Sequence, residues 1–149
     1  MAIARGAGTE IIRSTYLHNL ADTAKPLIIG VQHHIYTVLS VHVNAVGLNA
    51  AGNFIHMYIA VYDSLAGTTA QWLTIFKNDM QVTNTYIWND KFSFNGFEPT
   101  DFTGPADDYI KHDAIADQGS SVSQKLYIVG EHSSDNFDVC CTYIDQNNS

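Results

Sequence analysis

Seven histidines are the residues of this chain best placed to do chemistry, and four of them cluster early. His33, His34 and His42 fall within VQHHIYTVLSVHVNAV (Val31 to Val46), and His56 follows in the next apolar segment. Imidazole can bind a metal, act as a general base or titrate near neutral pH. Each of those roles needs partners that converge on one point. His33 and His34 are adjacent on an extended segment and face opposite ways. His34 and His42 share a face but stand about 26 Å apart at roughly 3.3 Å per residue. One workable pair remains, His42 with His56, if Val31–Val46 and Asn53–Asp63 fold as a hairpin. Pairing Val43 with Ile55, Val41 with Met57 and Leu39 with Ile59 puts apolar on apolar across one face. The same register sets His42 opposite His56 on the other. Zinc would need a further protein ligand, which the sequence does not place. The expectation is therefore polar, tyrosine-flanked strand residues and no metal.

A second polar cluster is Asp107, Asp108, His112 and Asp113. On a helix, Asp108 and His112 would be neighbours at i, i+4. The spacing fits neither a calcium loop nor an HExxH helix, and acidic residues near a helix start commonly serve the helix dipole. Ser120 and Ser121 lie in a turn-like DQGSSVSQ stretch without a GxSxG elbow around them. There is no GxxxxGK[ST] loop, and Gly6–Ala7–Gly8 is flexible-arm chemistry, not a dinucleotide fingerprint. A carboxylate pair for glycoside hydrolysis stays open, because such partners need not be close in sequence. No catalytic, cofactor-binding or metal-binding residue is assigned, no cofactor is expected, and the chain is expected not to be an enzyme.

The elements that would position these residues are strands. In Val31–Val46 the odd positions Ile35, Thr37, Leu39, Val41, Val43 and Ala45 are nearly all apolar and the even ones mixed, which is period-two alternation. Asn53–Asp63 repeats the pattern with Ile55, Met57, Ile59 and Val61 against Phe54, His56, Tyr58, Ala60 and Tyr62. Further strands are expected at Gln71–Lys77, Val82–Trp88, Lys125–Val129 and Phe137–Ile144. Residues 1–14 are expected to form a flexible arm, with Tyr16, Leu17 and Leu20 pinning its end, and residues 15–149 a single domain. Asp107–Ala116 is expected to supply a helical turn or two. At least six strands with little helix predict an all-β fold, an antiparallel β-sandwich of jelly-roll-like character, with a barrel as the nearest alternative.

Asn89 to Gly104 is expected to be a long ordered loop anchored by Phe92, Phe94, Phe97 and Phe102, and it carries most of the aromatic run WNDKFSFNGFEPTDF (Trp88 to Phe102). Three uses fit so aromatic a segment: clamping the loop onto the sandwich, contacting another protein, or stacking on sugar. In the arm, Arg5, Ile11, Ile12 and Arg13 are candidate contacts to a neighbouring subunit, and Phe92, Phe94 and Phe97 join them on the aromatic run.

Bulk properties narrow the classes. The 149 residues carry a net charge of −8 with 7 basic side chains. That balance argues against gripping a phosphate backbone, which needs a clustered positive face. No apolar run approaches the ~18 residues of a membrane helix, and MAIARGAGTEIIRST lacks a secretory core. The two cysteines, Cys140 and Cys141, are adjacent. On a strand they face opposite ways, so a disulfide between them is not expected and folding in a reducing cytoplasm is.

The strings ARGAGTEIIRS, GVQHHIYTVLSV, WNDKFSFNG, EPTDFTGP, KHDAIADQGSS and TYIDQNN, spread from about Ala4 to Asn148, resemble small virion structural proteins of marine tailed phages, especially those of cyanobacteria. The resemblance implies a non-enzymatic part of the particle, foremost a decoration or cement protein on the capsid. Its implied partners are the major capsid protein or other virion proteins, with symmetric homo-oligomers such as trimers at local threefold positions. Two other readings remain: a tail or head–tail connector component, and a carbohydrate- or receptor-binding module of a tail or fibre.

Overall fold

A computed structural model describes residues 8–63, 65–99 and 121–148, together with 113, 116 and 117. The described chain is almost entirely strand: β1 (Thr9–Leu20), β2 (Lys25–Ile29), β3 (His34–Gly47), β4 (Phe54–Asp63), β5 (Thr68–Asp79), β6 (Thr85–Trp88), β7 (Phe92–Asn95), β8 (Phe97–Pro99), β9 (Ser121–Ser123), β10 (Lys125–Gly130) and β11 (Asn136–Asn147). All pairings are antiparallel. The first sheet runs β1-β11-β3-β6, with β7 continuing the pairing of β6 along β3. The second runs β2-β10-β4-β5. β8 and β9 form a small ladder of their own. The all-β sandwich expected from the sequence is the observed architecture.

Its core lies between the two sheets. Val38, Val41, Val43, Ala45, Phe137, Val139 and Cys141 come from the first, and Ile55, Met57, Leu126 and Ile128 from the second, all fully buried. Alternation produces this directly: β11 buries every second residue from Phe137 to Asn147. Cys141 therefore points inward and Cys140 outward, both as free thiols.

The hairpin expected between β3 and β4 does not form. The two strands lie in different sheets, so Val41, Val43, Met57 and Ile55 share the core between the sheets and are not paired along a ladder. An inward-facing apolar parity is equally satisfied by a neighbour in the same sheet and by a partner in the facing one. Residues 48–53 between β3 and β4 carry the chain across the sandwich. Asp135, 4% exposed, holds this crossing. Its carboxylate accepts from Asn49 N at 2.7 Å, from Asn53 Nδ2 at 3.1 and 3.2 Å, and from His132 N at 3.0 Å.

A second correction lies within β3. The pairing with β11 shifts at Thr142/Tyr143, so that Ser40 opposes Thr142 and Val38 opposes Tyr143, leaving Leu39 extra. This β-bulge flips the parity. Odd residues face inward from Val41 to Ala45, but Tyr36 and Val38 do so before it, and Ile35 is exposed.

Parts of the expected arm and loop form strands. Thr9–Ser14, placed in the arm, belong to β1 and pair with β11 from Thr9↔Asn147 to Ser14↔Thr142. Their β-branched side chains favour strand once a partner edge is present. The aromatic run contains the short strands β7 and β8 where an ordered loop is expected from the sequence. Most of the helix expected at Asp107–Ala116 lies outside the described residues, as do Arg5 and Phe102. At Asp113 and Ala116 the backbone is helical, and Asp117 N donates to Asp113 O at 2.9 Å.

Backbones approach closely where β2, β8 and β9 converge. Gly30 N donates to Gln124 O, and Gln124 N to Gly96 O, each at 2.8 Å. A Cβ on Gly96 would stand 2.1 Å from Val31 O, and one on Gly30 would stand 2.1 Å from Gly96 O. Only glycine fits both positions.

Candidate functional site

The histidines do not converge. His42 lies exposed on the outer face of the first sheet, opposite Cys140 and Ile87. His56 lies on the outer face of the second, where its Nε2 meets Thr74 Oγ1 at 2.9 Å. Burial and the nearby Lys77 ammonium hold the His56 pKa below its ordinary value. Among the described residues no three His, Cys, Asp or Glu side chains are grouped to hold a metal. Asp107, Asp108 and His112 lie outside the described residues.

His34 does something the sequence did not show. Its Nδ1 lies 2.6 Å from Oδ1 of Asp145, a carboxylate only 2% exposed, and Arg13 Nη1 donates to Asp145 Oδ2 at 3.4 Å. Tyr36 stacks beside His34 with ring centroids 6.0 Å apart, and its hydroxyl accepts from Val31 N at 3.0 Å. Burial, reinforced by the charge of Asp145, pushes the Tyr36 phenol up to about 12. The cluster ties the first half of β1 to β11 and β3. It is an anchor within the fold, with Arg13 as its outermost member.

The aromatic run serves largely to clamp. Phe76, Trp88, Phe92, Phe94 and Tyr36 form a chain of rings with centroids 5.4–6.3 Å apart. Phe94 is 8% exposed and belongs to the core, while Phe92 and Trp88 pack half-buried against it. Phe92 and Phe94, candidates for contact with another protein, are thus occupied inside the chain. Phe97 is half-buried on β8.

Ile11 and Ile12 have the opposite character. Because β1 is the edge of the first sheet among the described residues, none of their strands lies along one flank of its backbone. Thr9–Ser14 are exposed on both faces, with Ile12 72% and Tyr16 60% exposed. These two share the outer face with Cys140 and Ile144 of β11 through the β1–β11 register.

A further surface, on the outer face of the second sheet, escaped the sequence reading. Phe54, His56 and Tyr58 alternate outward along β4, with centroids 6.4 and 5.1 Å apart. Tyr127 of β10 and Trp72 of β5 flank Tyr58 at 5.5 and 5.3 Å. Burial by these neighbours raises the Tyr58 pKa. Beside the rings is a hollow of about 380 Å³ lined by Tyr58, Ala60, Ala70, Trp72, Ser123, Lys125 and Tyr127. The available signal was β4 itself, whose even positions are as aromatic as its odd ones are aliphatic.

The sequence matches no protein-family model and no curated protein. Among solved structures, a chain from the disulfide-linked pili of Bacillus endospore appendages aligns with 100% of this chain and 97% of its own length, at 11% identity and a TM-score of 0.44. A chain of the T13 IBDV viral particle aligns with 99% of this chain at 7% identity and a TM-score of 0.49. A chain of the infectious bursal disease virus Gt strain does so at 12% identity and a TM-score of 0.45. This chain spans about a third of each of those two viral chains.

Proposed function

We propose that this protein is a non-enzymatic structural subunit of a virion, decorating or cementing the capsid surface through the edge of β1. One observation carries the reading: a 12-residue edge strand whose first half is exposed on both faces, with Ile12 in that half and Tyr16 just beyond it presented to solvent. Sheet edges of soluble proteins are usually kept short, charged or covered, because their unpaired N–H and C=O groups template pairing with another chain. Here Glu10 and Arg13 are the charges on that half of β1, and Arg13 leans on Asp145. A partner strand laid along β1 would gain main-chain hydrogen bonds and cover the two apolar side chains. Full burial of each would contribute about 1.5–3 kcal/mol. The rigid sandwich behind β1 supplies the remainder of an interface that must reach about 1,000 Å² to be specific.

The partner is the major capsid protein or another virion protein, met after synthesis in the host cytoplasm, and copies sit in a symmetric arrangement with trimers at threefold positions. Particles reconstituted with the Ile12→Glu/Tyr16→Glu variant test this by cryo-EM. Both side chains are exposed, so the isolated variant should keep its circular dichroism and melting temperature while its occupancy on the particle falls about tenfold or more, the loss of at least ~1.4 kcal/mol. Undiminished occupancy would remove the β1 edge from the contact. Full occupancy after deletion of residues 1–13 would do the same for Ile11, Ile12 and Arg13.

A further inference from the structure

We propose that the hollow beside Trp72, on the outer face of the second sheet, binds an acidic sugar: a pyranose ring carrying a carboxylate. The strand register builds the hollow. Lys125, Ala60 and Trp72 lie directly opposite one another on β10, β4 and β5, and Tyr127, Tyr58 and Thr74 form the next row. Ala60 is thus a small floor between two tall walls, Trp72 on one side and Lys125 on the other. Two strand spacings separate those walls, about 9–10 Å between backbones. Tyr58 and Tyr127, stacked at 22°, close one end.

A flat aromatic patch would suit a protein partner, but this one is concave. Its volume of about 380 Å³ falls within the range of small-ligand sites, roughly 300–1,000 Å³. The walls are chemically divided as a sugar is. Trp72, 69% exposed, offers a ring face to the C–H face of a pyranose, while Lys125 and the tyrosine hydroxyls offer hydrogen bonds to its polar edge. Ser123 Oγ is committed as a donor to Gly30 O at 2.9 Å and remains an acceptor. Charge selects the ligand further. The chain carries −8 overall, yet among the described residues the lining holds a lysine and no carboxylate. A carboxylate on the ligand complements that lysine. The rings stand on three hydrogen-bonded strands and lose little freedom on binding. The surface belongs to the sheet opposite β1, so the inference does not depend on the virion contact.

The test uses the intact chain and oligomers of glucuronate, glucose and N-acetylglucosamine, followed by titration calorimetry and tryptophan emission. Glucuronate oligomers should bind, perturb the emission of Trp72, and bind at least about fivefold tighter than either neutral series, ~1 kcal/mol by the usual conversion. Trp72→Ala and Ala60→Leu should each abolish the binding with the circular dichroism of the folded protein retained, because both positions are on the solvent face. Lys125→Met should remove the preference for glucuronate. No binding by any series, neutral oligomers bound as well as acidic ones, or binding retained in Ala60→Leu would each overturn the proposal. Concentration-dependent self-association lost in Trp72→Ala would also overturn it, giving the surface to a second copy of the chain.

Discussion

Asp135→Ala should be among the most damaging single substitutions that leave the apolar core untouched. The carboxylate is 4% exposed and takes four hydrogen-bond contacts from three residues, two of them backbone N–H groups in different loops. A hydrogen bond to a charged group contributes about 1.5–3 kcal/mol, and a buried donor left without its acceptor costs about 1–3. Simple addition over three donors would overshoot, because Asn49 and His132 are exposed enough for water to replace part of what is lost. The expected loss is about 2–4 kcal/mol. For a domain of this size each kcal/mol moves the melting temperature by roughly 2–4 °C, so a fall of about 5–15 °C is expected. Asp135→Asn keeps one acceptor oxygen and should fall between wild type and alanine. Asn53→Ala removes one donor and should cost about 1 kcal/mol, and the Asp135→Ala/Asn53→Ala pair should be clearly less than additive because the two share contacts. Thermal and urea unfolding of the four proteins reads this directly. A shift under about 2 °C for Asp135→Ala, or strict additivity of the pair, would refute the claim that this carboxylate holds the crossing between sheets.

Two further predictions rest on equally specific contacts. Gly96→Ala should yield little folded protein or lose more than about 3 kcal/mol, since its Cβ would stand 2.1 Å from Val31 O, whereas Gly52→Ala meets no atom within 4 Å and should lose only what its positive φ costs; comparable melting temperatures for the two would contradict the close approach. Spectrophotometric titration should show Tyr36 ionising near 12. A phenol held above 10.0 in the folded state contributes stability that is fully present below pH 10 and is lost as pH rises through about 12. Asp145→Asn should bring that ionisation down, though not to 10.0, because burial is the larger cause. An unmoved alkaline transition in the variant would show that Asp145 does not act on Tyr36.

Alternation along each strand settled a great deal without any structure. β-branched and aromatic runs of period two imply strands, and the inward set Val41, Val43, Ile55 and Met57 follows once one face must leave water. Two adjacent cysteines on a strand could only face apart, and so they do. The acidic balance directed attention away from phosphate backbones.

What the tertiary structure decided was which strands are neighbours. Parity says which face is buried but not what buries it, so β3 and β4 could be read as a ladder when they face each other across the core. The bulge at Leu39 was hidden for a related reason: one extra residue reverses every side chain before it, and the sequence around it alternates acceptably in either phase. The anchor of His34, Arg13 and Asp145 joins residues 111 and 132 positions apart. The hollow of Trp72, Ala60 and Lys125 exists only through the registers of β5, β4 and β10. Local pattern is written by nearest neighbours along the chain, whereas sheet order depends on loop lengths, buried carboxylates such as Asp135 and glycine contacts such as Gly30–Gly96. Those act between segments that have no sequence signal in common.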